Sequence, residues 1–467
     1  TPSNMQRELR YRVSLPVEAE SAYAWHEHDS AFNRLSPIWE TTRMVSSEGI
    51  REGGRAIIAI PSPVGSMHWH AEHFDVHKGK EFSDRQQKGP FHFWMHRHLF
   101  EGADSGCVLN DIIRYELPLS PVSDLFAGWF VQRKLAAMFA YRHKVLSNDL
   151  VFWKSLPEKK VKRILLTGSS GLIGSELAPF LRMGGYEVIG VSRRAEPGRT
   201  SVCWDLSKPN PEDASVLLDG KPLDAVIHLA GESIAEGRWS EAKKQRLIRS
   251  RVDATNNLIV GLQKLGLSPR VFISASGVGL YGDRGDQILT ESSAPGAGFL
   301  GELAQAWEAA ARASEMAFSA RSVQMRMGAV LTPRGGALAK MLLPFKCGVG
   351  GVLGNGRQWM SWVALDDVLY AVTYALETQA VSGPVNLVSP HPVTNAEFTR
   401  TLAQVLKRPA VLPAPAFALR LVLGELADEL LLNSQRALPR ELLESGFEFK
   451  HADLRDALSH MLGKNRL

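Results

Sequence analysis

The residues Thr167-Gly168-Ser169-Ser170-Gly171-Leu172-Ile173-Gly174 lie directly after a short apolar run, Ile164–Leu166, and directly before an apolar-periodic stretch from Leu172 to Leu181. Glycines at this spacing let the chain turn tightly, bring backbone N–H groups against a pyrophosphate and allow close helix-to-strand packing. The helix N-terminus adds a dipole that favours the anion. Strand, turn and helix together make Gly168, Ser169, Gly171, Leu172, Ile173 and Gly174 a candidate phosphate cradle rather than a plain structural turn. The next apolar run, Glu187–Val191, ends in Ser192-Arg193-Arg194. A site for NAD normally carries Asp or Glu here to accept from the ribose 2′-hydroxyl, whereas arginine pairs bidentately with a 2′-phosphate. NADP(H) is therefore expected in preference to NAD(H); the alternative is two solvated arginines at a strand end.

The elements that must position this turn follow from apolar patterning. From 161 to about 390, strand-like runs (Ile164–Leu166, Glu187–Val191, Ala225–Leu229, Val271–Ser274, Val323–Met327) alternate with helical segments, which predicts an α/β doubly wound parallel sheet. Helical periodicity without strand alternation around Ala396–Leu406, Pro415–Leu432 and Pro439–Leu443 predicts a small helical C-terminal lobe. The first region reads mainly as strands, at Arg55–Ile60, Met67–Phe74, Phe91–Phe100 and Val108–Leu117, closed by a long helix from Ser123 to Leu146, an α+β pattern. Ten of the 14 histidines precede residue 151, and Lys154-Ser-Leu-Pro-Glu-Lys-Lys160 is a polar, proline-bearing linker. The expected domains are 1–155, 160–390 and 391–467.

Beyond the glycine turn, Asp205-Leu206, His228-Leu-Ala-Gly231 after a strand, and a serine-rich strand end running into Tyr281-Gly282 resemble the extended and atypical short-chain dehydrogenase/reductases, across residues 161 to 467. Phe299 to Glu308, Arg326 to Leu331, Gly350 to Trp362 and Asp366-Asp367 resemble the NAD(P)-dependent, nucleoside-diphosphate-sugar epimerase-like subgroup of uncertain substrate. The resemblance implies a Rossmann fold. Asp205 and Leu206 would flank the adenine, Leu229, Ala230 and Gly231 would line the ribose and diphosphate channel, and Ser274 and Ser276 would face the nicotinamide. The Tyr-xxx-Lys pair by which that family exchanges a proton with substrate is missing: Leu300 and Ala304 stand at the corresponding positions. Ser276 and Tyr281 are then the remaining catalytic candidates, with Tyr281 alternatively packing the turn. Arg251 stands where the family's helix supplies an asparagine, either to bind an anion or to join an ion pair with Arg246, Arg249 and Asp253. Trp359 and Trp362 would border the substrate cleft, and Asp366 reads as a helix N-cap or as an acid–base partner of Asp367.

Residues 1 to 150 resemble the START-like, polyketide-cyclase or helix-grip domains, which implies an apolar ligand cavity between a curved antiparallel sheet and a long helix. Strand alternation puts His68, His70 and Glu72 on one face, and His92, Trp94, His96 and His98 on one face, of two strands that would pair through a turn at Gly89-Pro90. No metal ligand set is expected from them, because same-face residues of one strand lie roughly 7 Å apart and a site must recruit across strands.

Composition narrows the rest. In 467 residues, 45% are hydrophobic and 22% charged, as in ordinary globular chains. A net charge of +5 without a like-charge run implies no nucleic-acid partner, and three scattered cysteines encode neither disulfides nor a zinc knuckle. Thr1 to Arg12 has no signal-peptide core, and charges interrupt Val411–Leu432, so neither leader nor membrane span is expected and a cytoplasmic location fits. The reading is an NADP(H)-binding, epimerase-like or oxidoreductase-like protein with a small-molecule substrate. The alternative is a catalytically inactive NADP(H)-sensing or regulatory protein with a separate apolar-ligand domain.

Overall fold

A computed structural model describes residues 6–62, 65–118, 122–194 and 200–465, without the side chains of 122–126. The chain forms two compact units, one of residues 1–155 with 459–467 and one of residues 156–458.

In the first unit, β1 (Arg7–Leu15), α1 (Ala19–Glu27) and α2 (Ala31–Leu35) precede β2 (Arg43–Ser47), β3 (Arg55–Ser62), β4 (Gly65–His77), β5 (Glu81–Lys88), β6 (Phe93–Ala103), β7 (Gly106–Glu116) and α3 (Val122–Ser155). The strands form one antiparallel sheet in the order β1-β7-β6-β5-β4-β3-β2. In β6 the alternation is strict: Trp94, His96, His98 and Phe100 are buried. On the covered face Trp94, Ile113 and Tyr115 pack with Leu135 and Phe139 of α3. The two histidine rows are not neighbours, because β5 lies between β4 and β6. The hairpin partner expected across Gly89-Pro90 is therefore β5 with β4 on one side and β6 on the other. His68 and His92 are exposed, and His92 precedes β6.

In the second unit, β8 (Arg163–Thr167), α4 (Gly174–Met183), β9 (Glu187–Ser192), β10 (Ser201–Cys203), β11 (Ala225–His228), α5 (Glu241–Ile248), α6 (Ala254–Lys264), β12 (Val271–Gly277) and α7 (Phe299–Phe318) lead to two further strands, Arg321–Met327 and Gly383–Leu387. All seven strands are parallel, in the order β10-β9-β8-β11-β12 followed by those two. Central strands covered on both faces need continuous apolar runs, and Ile164, Leu165, Leu166, Ala225, Val226 and Ile227 are each 0% exposed. The strand order reverses between β8 and β11, which opens a crevice at the carboxyl ends of the strands. The C-terminal segment carries the helices Asn395–Leu406, Ala416–Leu423 and Arg440–Glu444. No helix among the described residues is long and apolar enough to cross a membrane.

Candidate functional site

The three glycines of the turn after β8 do different work. Gly168 has φ +69°, a left-handed conformation, and a Cβ there would meet the Leu229 carbonyl carbon at 2.8 Å. A Cβ on Gly174 would come within 2.1 Å of the Gly168 oxygen, so this glycine lets α4 start against the turn. Gly171 is exposed, and its Cβ would meet only the Gly168 oxygen, at 3.2 Å. Its bare backbone is free of protein crowding on the crevice side, where a ligand must approach closely.

Beneath the turn, Thr167 Oγ1 accepts from the N–H groups of Leu229 and Ala230, each at 3.1 Å, and so donates to His228 Nδ1 at 2.7 Å. His228 Nε2 then carries the proton and donates to Thr255 Oγ1 at 3.0 Å, whose hydroxyl donates to the Arg251 carbonyl. This chain ties β8, β11 and α6 together under the crevice. Burial lowers the His228 pKa to about 4, with Arg251 adding to the effect. Between pH 6.5 and about 4 the unfolded chain binds a proton that the native state refuses, so stability falls as pH falls through that window. Denaturant titrations should show a loss of roughly 2 kcal/mol from this group at pH 5 relative to pH 7. His228→Asn should lose that part of the pH dependence, and an unchanged slope in the variant would sink the assignment.

The crevice has a volume of about 1580 Å³. Of the expected cofactor residues, Gly168, Gly171, Ser192, Arg193, Arg194, Asp205, Leu206, Leu229, Ala230 and Gly231 line it. Others are not in the lining. Ser169 packs beside Gly190 while Ser170 takes the lining position. Leu172 packs against Gly335, Ile173 precedes α4, and Gly174 is buried against the turn. Ser274 is 0% exposed, with its hydroxyl donating to the Ala275 carbonyl, and is not in the lining. The sequence reading missed Trp204, Ser207, Arg246, Arg249, Ser250, Asp253 and Ala254 in the lining. The i, i+3 spacing of Arg246 and Arg249 was the available signal, since it puts two cations on one helix face.

Arg251 lies in a π-helical turn, Arg249–Asp253, and is buried rather than part of a surface ion pair. Its Nη2 donates to the Glu232 carbonyl at 2.9 Å, its guanidinium sits 5.0 Å from the Trp307 ring centre, and its Nε has no hydrogen-bond partner among the described residues. A Cβ on Gly231 would lie 3.2 Å from its Cζ. Burial brings its pKa down to about 10, so it stays charged at neutral pH.

Ser276 and Tyr281, expected as catalytic groups, are instead held in a buried ion-pair network and do not line the crevice. Arg326 grips Glu308 bidentately, Nε to Oε1 at 2.8 Å and Nη2 to Oε2 at 2.9 Å. Ser276 Oγ donates to Glu308 Oε1 at 2.8 Å. The Tyr281 hydroxyl accepts from Arg326 Nη1 at 3.0 Å and points its single proton at Asn386 Oδ1 (2.7 Å) and the Thr290 carbonyl (3.0 Å). Burial raises the phenol's pKa, with Arg326 and Asn386 acting the other way. Leu300 packs with Leu247 and Leu303 in an apolar cluster, and Ala304 is buried in another. Trp362 is a core residue that donates to the His391 carbonyl, while Trp359 bonds Asp286 Oδ1 at 2.7 Å. Ala364 is the N-cap of the helix Leu365–Glu377, so Asp366 is in its first turn, and buried Asp367 accepts from the Lys450 and His451 N–H groups.

A seven-stranded parallel sheet with a glycine turn at its switch point defines a Rossmann-type α/β protein. The chain belongs to the NAD dependent epimerase/dehydratase family: the family's profile matches residues 164–388, and a domain of unknown function, DUF1731, matches residues 414–461. The epimerase family protein Mb2239 of Mycobacterium bovis is 42% identical over 301 residues, 64% of this chain and 96% of that protein. The crystal structure of a nucleoside-diphosphate sugar epimerase from Corynebacterium glutamicum superposes with a TM-score of 0.78 at 32% identity, covering 98% of this chain and 91% of that one. Human epimerase family protein SDR39U1 (isoform 2), whose crystal structure contains NADPH, gives a TM-score of 0.57 at 33% identity over 64% of this chain and 99% of its own.

Proposed function

We propose that this protein binds NADP(H) in the crevice between β8 and β11 and acts as an epimerase-like or oxidoreductase-like protein on a small molecule of the nucleotide-sugar class. The observation that carries the reading is that the glycine turn and the Arg193-Arg194 pair line one crevice. Gly168, Gly171 and the start of α4 would hold the diphosphate, Arg193 and Arg194 the 2′-phosphate, and Leu229 to Gly231 the adjoining ribose. The bound nucleotide would supply hydride chemistry. Arg251, charged and buried beside Gly231, would draw an anionic group of cofactor or substrate toward that end. The human relative's NADPH and the nucleotide-sugar epimerase from C. glutamicum support the same direction. For the first unit, an antiparallel sheet with a long closing helix, the helix-grip reading stays a proposal, since the family matches lie at residues 164–388 and 414–461.

The experiment is cofactor affinity, by fluorescence titration of NADPH and NADH. Arg193→Ala with Arg194→Ala should weaken NADPH binding by roughly 100-fold, about 1.5 kcal/mol for each charge-assisted contact, and leave NADH binding unchanged. An unchanged NADPH-to-NADH ratio would overturn the role of the arginines. A second reading, nucleotide sensing without turnover, draws on Leu300 and Ala304, which occupy the expected proton-transfer positions with apolar side chains. Tight NADPH binding with no oxidation over a panel of keto-sugar nucleotides and simple carbonyl compounds would favour it.

A further inference from the structure

Three imidazoles and two carboxylates meet inside the first unit, unused by the function above. Register brings them together: Asp84 of β5 pairs with His96 of β6, and His98 of β6 pairs with Asp111 of β7. The side chains of His96, His98 and Asp111 are 5%, 11% and 3% exposed, and that of Asp84 is 20% exposed. Asp111 Oδ1 lies 2.9 Å from His96 Nε2, and its Oδ2 lies 2.7 Å from Nε2 of His143 on α3. Nδ1 of His98 is 2.8 Å from the same Oδ1, off the line of a hydrogen bond. A carboxylate accepts, so at the two hydrogen-bonded contacts the ring proton belongs on Nε2 of His96 and on Nε2 of His143.

That assignment leaves a lone pair on Nδ1 of His96, and this atom and Nε2 of His98 are the ring nitrogens nearest Asp84. Its Oδ2 is 3.5 Å from the first and 3.9 Å from the second. Asp84, His96 and His98 each offer one ligand atom within 4.8 Å of the other two. A carboxylate oxygen and two imidazole nitrogens that converge this closely form a donor set for a cation. Two ligands about 2.1 Å from a tetrahedral ion sit roughly 3.4 Å apart, near the two spacings from Asp84. We propose that Asp84, His96 and His98 bind a divalent first-row transition metal, with Asp111 as the positioning carboxylate that fixes the His96 ring from behind. Two imidazoles and one carboxylate leave at least one coordination position for water or another ligand.

The test uses the full, untagged chain, dialysed against chelator and titrated with Zn²⁺ by calorimetry and with Co²⁺ by visible absorption. One tight Zn²⁺ per chain, a rise in unfolding temperature on loading, and the intense visible bands of four- or five-coordinate Co²⁺ are expected. Asp84→Asn and His96→Gln should each lower Zn²⁺ affinity by on the order of 100-fold, and Asp111→Asn by on the order of 10–100-fold with the Co²⁺ bands shifted and not abolished. His68→Gln, on an exposed position of β4, should bind as the parent does. Absence of stoichiometric binding to the parent overturns the proposal, as does parent-like affinity in Asp84→Asn and His96→Gln. For a variant that does not fold, the parent's stoichiometry and Co²⁺ spectrum decide alone: six-coordinate, weak bands would place the metal elsewhere.

Discussion

Gly171→Val should abolish NADPH and NADH binding while the protein stays folded. The Cβ of residue 171 meets only one protein atom, the Gly168 oxygen at 3.2 Å, so the turn must give by a few tenths of an ångström and no more. The isopropyl group would instead project into the crevice at the place where backbone must reach the diphosphate. The loss expected in cofactor affinity is at least 100-fold, against a small drop in unfolding temperature. Gly174→Val is the contrast: its Cβ would stand 2.1 Å from the Gly168 oxygen, and here the fold itself should fail. Titration of both nucleotides alongside thermal unfolding separates the two outcomes. If Gly171→Val binds NADPH as the parent does, the crevice is not the nucleotide site.

Arg326→Met should cost about 3–5 kcal/mol of stability, because it strands the Glu308 carboxylate in a site where it is 4% exposed. The same change removes a donor to the Tyr281 hydroxyl and to the Glu291 carbonyl. Combining it with Glu308→Leu should restore much of the loss, since an apolar pair carries no desolvation penalty. Chemical unfolding of the parent, each single variant and the double variant gives the coupling directly. Single-variant losses under 1 kcal/mol would mean that the pair is reached by water and is not the anchor of α7 on the sheet. The same network accounts for Ser276 and Tyr281, whose hydroxyls hold Glu308, Asn386 and Arg326 in place.

The parts of this protein legible from sequence are those whose partners are close along the chain. The glycine turn joins a strand and a helix that are contiguous with it, so the spacing of Gly168, Gly171 and Gly174 predicts both the local structure and the crevice-facing backbone. Buried parallel strands need unbroken apolar runs, and the runs at 164–166, 187–191 and 225–229 delivered the sheet and, with it, the switch point. Ser169, Leu172, Ile173, Gly174 and Ser274 show the limit of that reading. A motif names which residues form a turn or a strand end, and packing against Gly190, Gly335 and the sheet interior decides which of their side chains line the crevice.

What only the tertiary structure decided lies in contacts between residues far apart in sequence. Ser276 and Tyr281 looked available because their partners, Glu308, Arg326 and Asn386, come from α7 and two later strands. Arg251 became a buried cation beneath Gly231 through a π-helical turn that no residue pattern announced. In the first unit, alternation put His96 and His98 on one face, but a face pattern does not say which strand lies next to it. β5, Glu81-Phe-Ser-Asp-Arg-Gln-Gln-Lys88, has no apolar alternation to mark it as a strand, because its burial comes from neighbours on both sides. The sequence alone therefore determined the local turn, the apolar runs and the faces of strands. Strand order and register, set by the whole sheet's packing, decided that Asp84 and Asp111 stand on either side of the same two imidazoles.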